Sequence, residues 1–175
     1  MNIGTLLVAT PSVMGDVNFN RAVVLLVNQN DSGSIGFILN KKLEYSLDEV
    51  MDGITSKQPL YFGGPVEPDN LFYIHTLGNQ ISKSILISDS LYWNGDFEEV
   101  TQLMETGILN EENIRFFLGY SGWLDSISNQ FRQPGIASPK PSGSWLCLSC
   151  DRVVSRWIWY IRDTGDARNQ HGSKH

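Results

Sequence analysis

Short apolar runs rich in β-branched and aromatic residues dominate the first two thirds of the chain. These runs predict strands at residues 5–9, 21–28, 34–39, 60–62, 70–77, 84–88 and 113–123. The runs at 21–28 and 34–39 are joined by "QNDSG", a link of turn-forming residues. We therefore expect these two runs to form a hairpin that is buried on both faces.

Two stretches change to a helical period. Ser46 followed by Glu49 fits a capping box at the start of a short helix over 47–51. Asp96 precedes a second helix whose apolar residues recur on one face, and Gly107 suits its left-handed end. Runs of strands with irregularly placed helices predict an α+β protein instead of a regular βαβ repeat.

The length of 175 residues is that of one domain, and 41% apolar with 18% charged residues is a globular composition. We expect one domain over 1–165 and a disordered tail over 166–175. No apolar run reaches the length of a membrane helix, and no basic segment precedes the short apolar stretch at the start. The sequence therefore predicts a cytoplasmic protein with no membrane contact.

The net charge of −6 makes an autonomous DNA-binding protein a poor expectation, because binding to duplex DNA relies on cations that neutralise phosphates. The charge is also uneven. Residues 1–124 carry 6 Lys+Arg and 15 Asp+Glu, whereas residues 125–175 carry 7 and 4. The average charge favours a protein partner over nucleic acid.

The glycine motifs do not match known catalytic or phosphate-binding patterns. "GYSGW" (119–123) departs from the G-x-S-x-G nucleophile elbow, and neither phosphate fingerprint occurs. We interpret Gly63 and Gly64 as a tight corner, with ligand binding as the alternative, since Pro65 removes one N–H donor from any anion cradle.

A few polar residues remain as candidates. His75 lies within an apolar strand, where a hydrogen-bonded structural histidine is the simpler interpretation and a general base is the alternative. Asn18, Arg21 and Asn40 bracket the first hairpin, and Arg21 is expected to pair with a carboxylate more readily than with a substrate. "CLSC" (147–150) lacks the further ligands of a zinc site, so we predict no metal, no cofactor and two thiols without a function.

Four ordered motifs resemble the AlgH/YqgE family of bacterial proteins. They are a proline-to-valine stretch before the first hairpin, a glycine turn followed by asparagine, a G-G-P-V-x-P corner with a later histidine, and Y-x-G-W. The matching residues are Pro11, Met14, Asp16, Phe19, Arg21, Val23, Val24, Gly33, Gly36, Asn40, Gly63, Gly64, Pro65, Val66, Pro68, Phe72, His75, Tyr120, Gly122 and Trp123.

The resemblance implies an α+β domain with a bifurcated, partly barrel-like β-sheet surrounded by helices. It implies no established reaction, because the family is largely uncharacterised. The label of transcriptional regulator that its members often carry describes a genetic role more than a demonstrated DNA contact.

The chain departs from the family pattern after Trp123. An acidic helix is expected there, but "LDSISNQFRQPGIASPKPSG" stands in its place, and "SWL" (144–146) matches only at altered spacing. One hypothesis is that residues from about 124 onward are translated partly out of frame; the other is a divergent but genuine C-terminus. Translation of the two other reading frames of the gene would decide between them.

We therefore expect a non-enzymatic binding or regulatory protein that acts through a protein partner. The alternatives are a small-ligand-binding protein or enzyme that uses the Gly63-Gly64 and His75 region, and a direct DNA-binding regulator. The candidate binding surface consists of Asn18, Arg21, Asn40, Gly63, Gly64, Pro65, His75 and Trp123.

Overall fold

The computed structural model describes residues 3–9, 16–30, 33–123 and 145–148. Ten strands lie in these ranges: β1 (Leu6–Ala9), β2 (Val23–Asn30), β3 (Gly33–Ile38), β4 (Lys42–Ser46), β5 (Pro59–Phe62), β6 (Val66–His75), β7 (Ile85–Ser88), β8 (Leu91–Trp93), β9 (Ile114–Trp123) and β10 (Trp145–Leu148). The predicted strands are present, and β4, β8 and β10 are additional to them.

The strands form one mostly antiparallel sheet in the order β10-β1-β2-β3-β9-β6-β8-β7. β9 pairs along one edge with β6. Its other edge is shared, because β3 pairs with residues 121–123 and β5 pairs in parallel with residues 116–118. The sheet therefore divides at β9, as the predicted bifurcation requires.

The sheet curls into a half-barrel. A Cβ on Gly4, just before β1, would lie 3.5 Å from the carbonyl oxygen of Ile87 in β7, although these strands are far apart in the strand order. The concave side is filled by a cluster of buried apolar residues from β1, β2, β3, β6, β7, β8 and β9, including Leu25, Phe37 and Phe117. The curled sheet thus covers much of its own apolar interior.

The described residues contain two short α-helices, α1 (Leu47–Val50) and α2 (Phe97–Glu105), and one 3₁₀ turn (Gly78–Gln80). Both predicted helix starts are confirmed. Ser46 and Glu49 form the capping box, and the Asp96 carboxylate accepts a hydrogen bond from the Glu98 N–H. The prediction that helices surround the sheet was wrong. The two short helices cover only a second apolar cluster around Leu60, Val100 and Phe116, and the curl of the sheet buries the other core residues.

Several predictions fall on residues outside the described ranges. These are the disordered tail, the reading-frame hypothesis and the second cysteine of "CLSC". Cys147 lies in β10, which pairs antiparallel with β1. In the described part of the chain, no helix is long and apolar enough to cross a bilayer.

Candidate functional site

Gly63 and Gly64 form the corner between β5 and β6, where two backbones touch. A Cβ on Gly63 would lie 2.1 Å from the Gly119 carbonyl oxygen, and a Cβ on Gly64 would lie 2.3 Å from the Tyr120 carbonyl oxygen. The Gly63 carbonyl also accepts a hydrogen bond from the Ser121 hydroxyl at 3.0 Å. The side of the corner that faces β9 is therefore filled by protein backbone and leaves no room for a ligand.

Asp16 fixes the described part of the loop before β2. One carboxylate oxygen of Asp16 accepts hydrogen bonds from the backbone N–H groups of Asn18 at 2.8 Å and Phe19 at 3.0 Å. Aspartate commonly closes turns in this way, because its short side chain reaches the backbone two residues on. The Asn18 main chain is thus held in place from within the loop.

Asn40, two residues after β3, fixes the other end of this loop. Its side-chain amide donates to the Arg21 carbonyl at 2.8 Å and accepts from the Val23 N–H at 2.9 Å. Arg21 has a φ of 54°, in the left-handed region that residues with a side chain rarely adopt. The Asn40 amide therefore stabilises a backbone conformation that carries a local energetic cost of about 1–2 kcal/mol.

Lys41 adds a third attachment that sequence reasoning missed. Its Nζ donates to the Asn18 carbonyl at 2.6 Å and to the Val17 carbonyl at 3.2 Å. Partial burial lowers the pKa of Lys41, and the Asp16 carboxylate raises it in part. The only signal in the sequence was a lysine next to Asn40 in an otherwise acidic half of the chain.

These attachments present one continuous surface, which we call the clamp surface and define as Val17, Asn18, Arg21, Asn40 and Lys41. Val17 is 90% exposed at its tip, and Arg21 and Asn40 are also exposed.

Trp123 and the glycine corner adjoin the clamp surface. The half-buried rings of Trp123 and Phe19 lie 6.1 Å apart beneath the loop. The Phe62 N–H donates to the Lys41 carbonyl, and the exposed Pro65 follows three residues later. The structure therefore gathers seven of the eight candidate residues at one end of the sheet.

His75 is the exception. It ends β6 while the corner precedes the start of that strand. Val66 lies opposite Tyr120 and His75 opposite Ile114, so about 20 Å of β9 separates the two ends. His75 is 1% exposed, and its Nε2 lies 3.0 Å from both the Asn94 carbonyl and the Ser84 hydroxyl. Its Nδ1 accepts from the Leu77 N–H at 3.3 Å, and its ring stacks on Tyr92. The imidazole is fully engaged inside the fold.

Burial lowers the pKa of His75 from its usual 6.5, against a smaller opposing effect of the bond to the Asn94 carbonyl. Unfolding restores the usual pKa, so the unfolded chain takes up a proton first as pH falls below 6.5. We expect the free energy of unfolding to decrease from about pH 7 to pH 5, and His75→Gln to show a shallower decrease.

Urea titrations of both proteins across this pH range measure the effect. The variant should be about 1–3 kcal/mol less stable near pH 7, because it loses buried hydrogen bonds. The other histidines are common to both proteins, so the difference between the two slopes isolates His75. Parallel slopes would contradict a neutral, buried His75.

The clamp surface combines apolar and basic side chains. It offers one apolar side chain, one guanidinium and one ammonium group, without a paired nucleophile and base. Among the described residues, no group of three or more histidine, cysteine, aspartate or glutamate side chains is arranged to hold a metal ion.

The fold is that of two solved structures. The solution structure of the AlgH protein from Pseudomonas aeruginosa superposes with a TM-score of 0.64 at 23% identity, over 93% of this chain and 88% of that one. A crystal structure of a protein from Corynebacterium diphtheriae gives 0.63 at 19% identity, over 88% and 78%. The chain thus has the AlgH-like fold, a curled half-barrel sheet with few helices.

Sequence comparison gives the family. Residues 6–130 match the family model described as AlgH-like. A UPF0301 protein of Chlorobium limicola is 42% identical over 153 residues, covering 86% of this chain and 76% of the relative. A UPF0301 protein of Chlorobaculum parvum is 40% identical over 174 residues, covering 94% and 88%. The chain belongs to the AlgH-like family.

The second alignment also bears on the C-terminal part. An alignment that covers 94% of this chain extends well past residue 124. Three other relatives align over only 69–70% of this chain. The divergent terminus and the change of reading frame therefore stay as two hypotheses, and translation of the other two frames is their test.

Proposed function

We propose that this protein is a non-enzymatic, cytoplasmic binding protein that contacts a protein partner through the clamp surface. The observation that carries the proposal is the backbone of Arg21, which lies in the left-handed region at an exposed position and is held there by the Asn40 amide. Backbone strain of this kind persists only where the surrounding structure enforces it, and it is concentrated at functional sites.

The attachments of the loop support recognition. Asp16, Asn40 and Lys41 together make six hydrogen bonds to the main chain of residues 17–23. A loop that is already ordered loses little conformational entropy when a partner binds, so more of the contact energy remains as affinity. The exposed Val17 side chain at the tip supplies the apolar contact that such an interface needs.

The other two functions have less support. An enzyme or small-ligand site around Gly63-Gly64 and His75 would have to span β6, and the imidazole has almost no exposed surface. A direct DNA-binding regulator would have to overcome the net charge of −9 that residues 1–124 carry from 6 basic and 15 acidic residues.

Site-specific photocrosslinking tests the proposal. A benzophenone amino acid in place of Val17 should capture a discrete protein in cells, whereas the same residue in place of Ile108, an exposed apolar side chain after α2, should not. The captured protein is then purified, and its affinity is measured by calorimetry with wild type and with Asn40→Ala. Equal capture at both positions, or an affinity that Asn40→Ala leaves unchanged, would rule out the clamp surface as the binding site.

The strain at Arg21 predicts a gain in stability on substitution. Arg21→Gly should raise the free energy of unfolding by about 0.5–1 kcal/mol, because glycine adopts a positive φ without steric conflict and this gain exceeds its extra entropy in the unfolded chain. Arg21→Ala keeps the backbone conflict and should change stability by less than about 0.5 kcal/mol. Urea unfolding of the three proteins checks both expectations. A loss of stability in Arg21→Gly would show that the side chain supports the fold instead.

A further inference from the structure

We infer that the segment bound by the clamp surface is acidic, and that the Arg21 guanidinium receives a carboxylate from it. The inference rests on the proposed function and specifies the partner of the same surface. The inference is based on the positions at which the described part of the chain exposes basic side chains.

Residues 1–124 hold six basic side chains. Arg115 is buried. Its guanidinium lies over the Tyr61 ring and donates a hydrogen bond to the Leu39 carbonyl. Lys83 forms an ion pair with Asp96 at 2.7 Å. Lys57 lies in the loop before β5. The remaining three are Arg21, Lys41 and Lys42, so half of the basic residues lie in or next to the clamp surface.

The described acidic residues of the loop, β4 and the glycine corner form no ion pair with Arg21. Asp16 is the acidic residue of the loop, and one of its carboxylate oxygens is taken by two backbone N–H groups. Glu44 lies two residues beyond Lys42, and Glu67 and Asp69 lie beyond Pro65 on the bulge of β6. Within the described ranges, no carboxylate lies within ion-pair distance of Arg21.

The geometry suits a carboxylate. The Arg21 main chain is fixed at its carbonyl by Asn40, so its planar guanidinium leaves the surface from a defined point and can bind both oxygens of one carboxylate. The exposed Val17 contacts an apolar side chain next to that carboxylate, and Lys41 adds a positive field beneath the loop.

An acidic protein segment fits better than nucleic acid. A duplex presents a long, regular row of phosphates, and its binding depends on many neutralised charges at once. The clamp surface has two cations, Arg21 and Lys41, and residues 1–124 carry a net charge of −9 from 6 basic and 15 acidic residues, which would repel the flanking phosphates. A short acidic segment of a protein places its charge at one point only.

Fluorescence anisotropy with two labelled peptides tests the inference on the full chain. One peptide carries several glutamates around a leucine, and the matched peptide carries glutamines in their place. We expect the glutamate peptide to bind at low salt and the glutamine peptide to bind at least about tenfold more weakly. Arg21→Glu should weaken binding of the glutamate peptide by a similar factor, whereas the matched charge reversal Lys57→Glu, away from the loop, should leave it within about twofold.

Each outcome decides the inference. Equal binding of the two peptides, absence of binding at low salt, or equal loss in Arg21→Glu and Lys57→Glu would overturn an acidic partner. Tighter binding of a labelled mixed-sequence duplex than of the glutamate peptide would assign the surface to nucleic acid. If the crosslink at Val17 still captured a protein in any of the first three cases, the proposed function would stand and only the acidic character of the partner would fail.

Discussion

Gly63→Ala should lower the free energy of unfolding by about 4 kcal/mol or more. The new Cβ would lie 2.1 Å from the Gly119 carbonyl oxygen and 3.0 Å from a ring carbon of Phe37. Neither neighbour can withdraw easily, because Gly119 belongs to β9 and Phe37 is fully buried. Urea unfolding measured by circular dichroism, or the yield of folded protein, reports the loss.

Gly53→Ala is the matched control. Gly53 has a positive φ of 83°, a conformation that Gly63 does not adopt, and nothing lies within 4 Å of its added Cβ. This control should lose only about 1–2 kcal/mol, the price of a left-handed alanine. If the two variants were equally stable, the close contact between the corner and β9 would be disproved.

Phe37→Ala should destabilise the protein by about 3–5 kcal/mol, because it removes the ring at the centre of the half-barrel. The Phe37 ring stacks on Phe117 with centroids 4.9 Å apart, and it also contacts Phe72 at 5.7 Å and Trp93 at 6.0 Å. The four rings of this cluster come from four different strands. Movement of one strand alone therefore cannot close the cavity that the alanine would leave.

Denaturant midpoints of Phe37→Ala, Phe37→Leu and Ile108→Ala test this expectation. Leucine refills much of the space and should recover more than half of the loss, while Ile108 is 47% exposed and its truncation should change stability by less than about 0.5 kcal/mol. A loss below about 1 kcal/mol in Phe37→Ala would show that the ring does not pack as described.

The strands that carry long apolar runs were predictable from the sequence, whereas the polar and very short ones were not. The hairpin of β2 and β3 is buried on both faces, and its residues are apolar without alternation. β4 is largely exposed and carries Lys42 and Glu44, and β8 has three residues, too few to show a period. The curl of the sheet and its division at β9 depend on pairing between distant residues, which no local pattern records.

The site was predictable in its residue types but not in its grouping. Their positions beside the first hairpin selected Asn18, Arg21 and Asn40, yet their association depends on side-chain bonds to main-chain atoms up to 24 residues away. Lys41 and Val17 were not selected from the sequence, because a lysine and a valine mark no site until the fold shows their contacts. His75 was selected with the others, although its burial at the far end of β6 separates it from them.

The sharing of β9 among three strands has a consequence for the order of folding. Residues 114–123 supply partners for β3, β5 and β6, which lie between about 40 and 90 residues earlier in the chain. The hairpin of β2 and β3 can form as soon as both strands leave the ribosome, but the outer edge of β3 then waits for β9 to be synthesised. During that interval, β3 exposes an unpaired apolar edge of the kind that promotes aggregation and recruits chaperones.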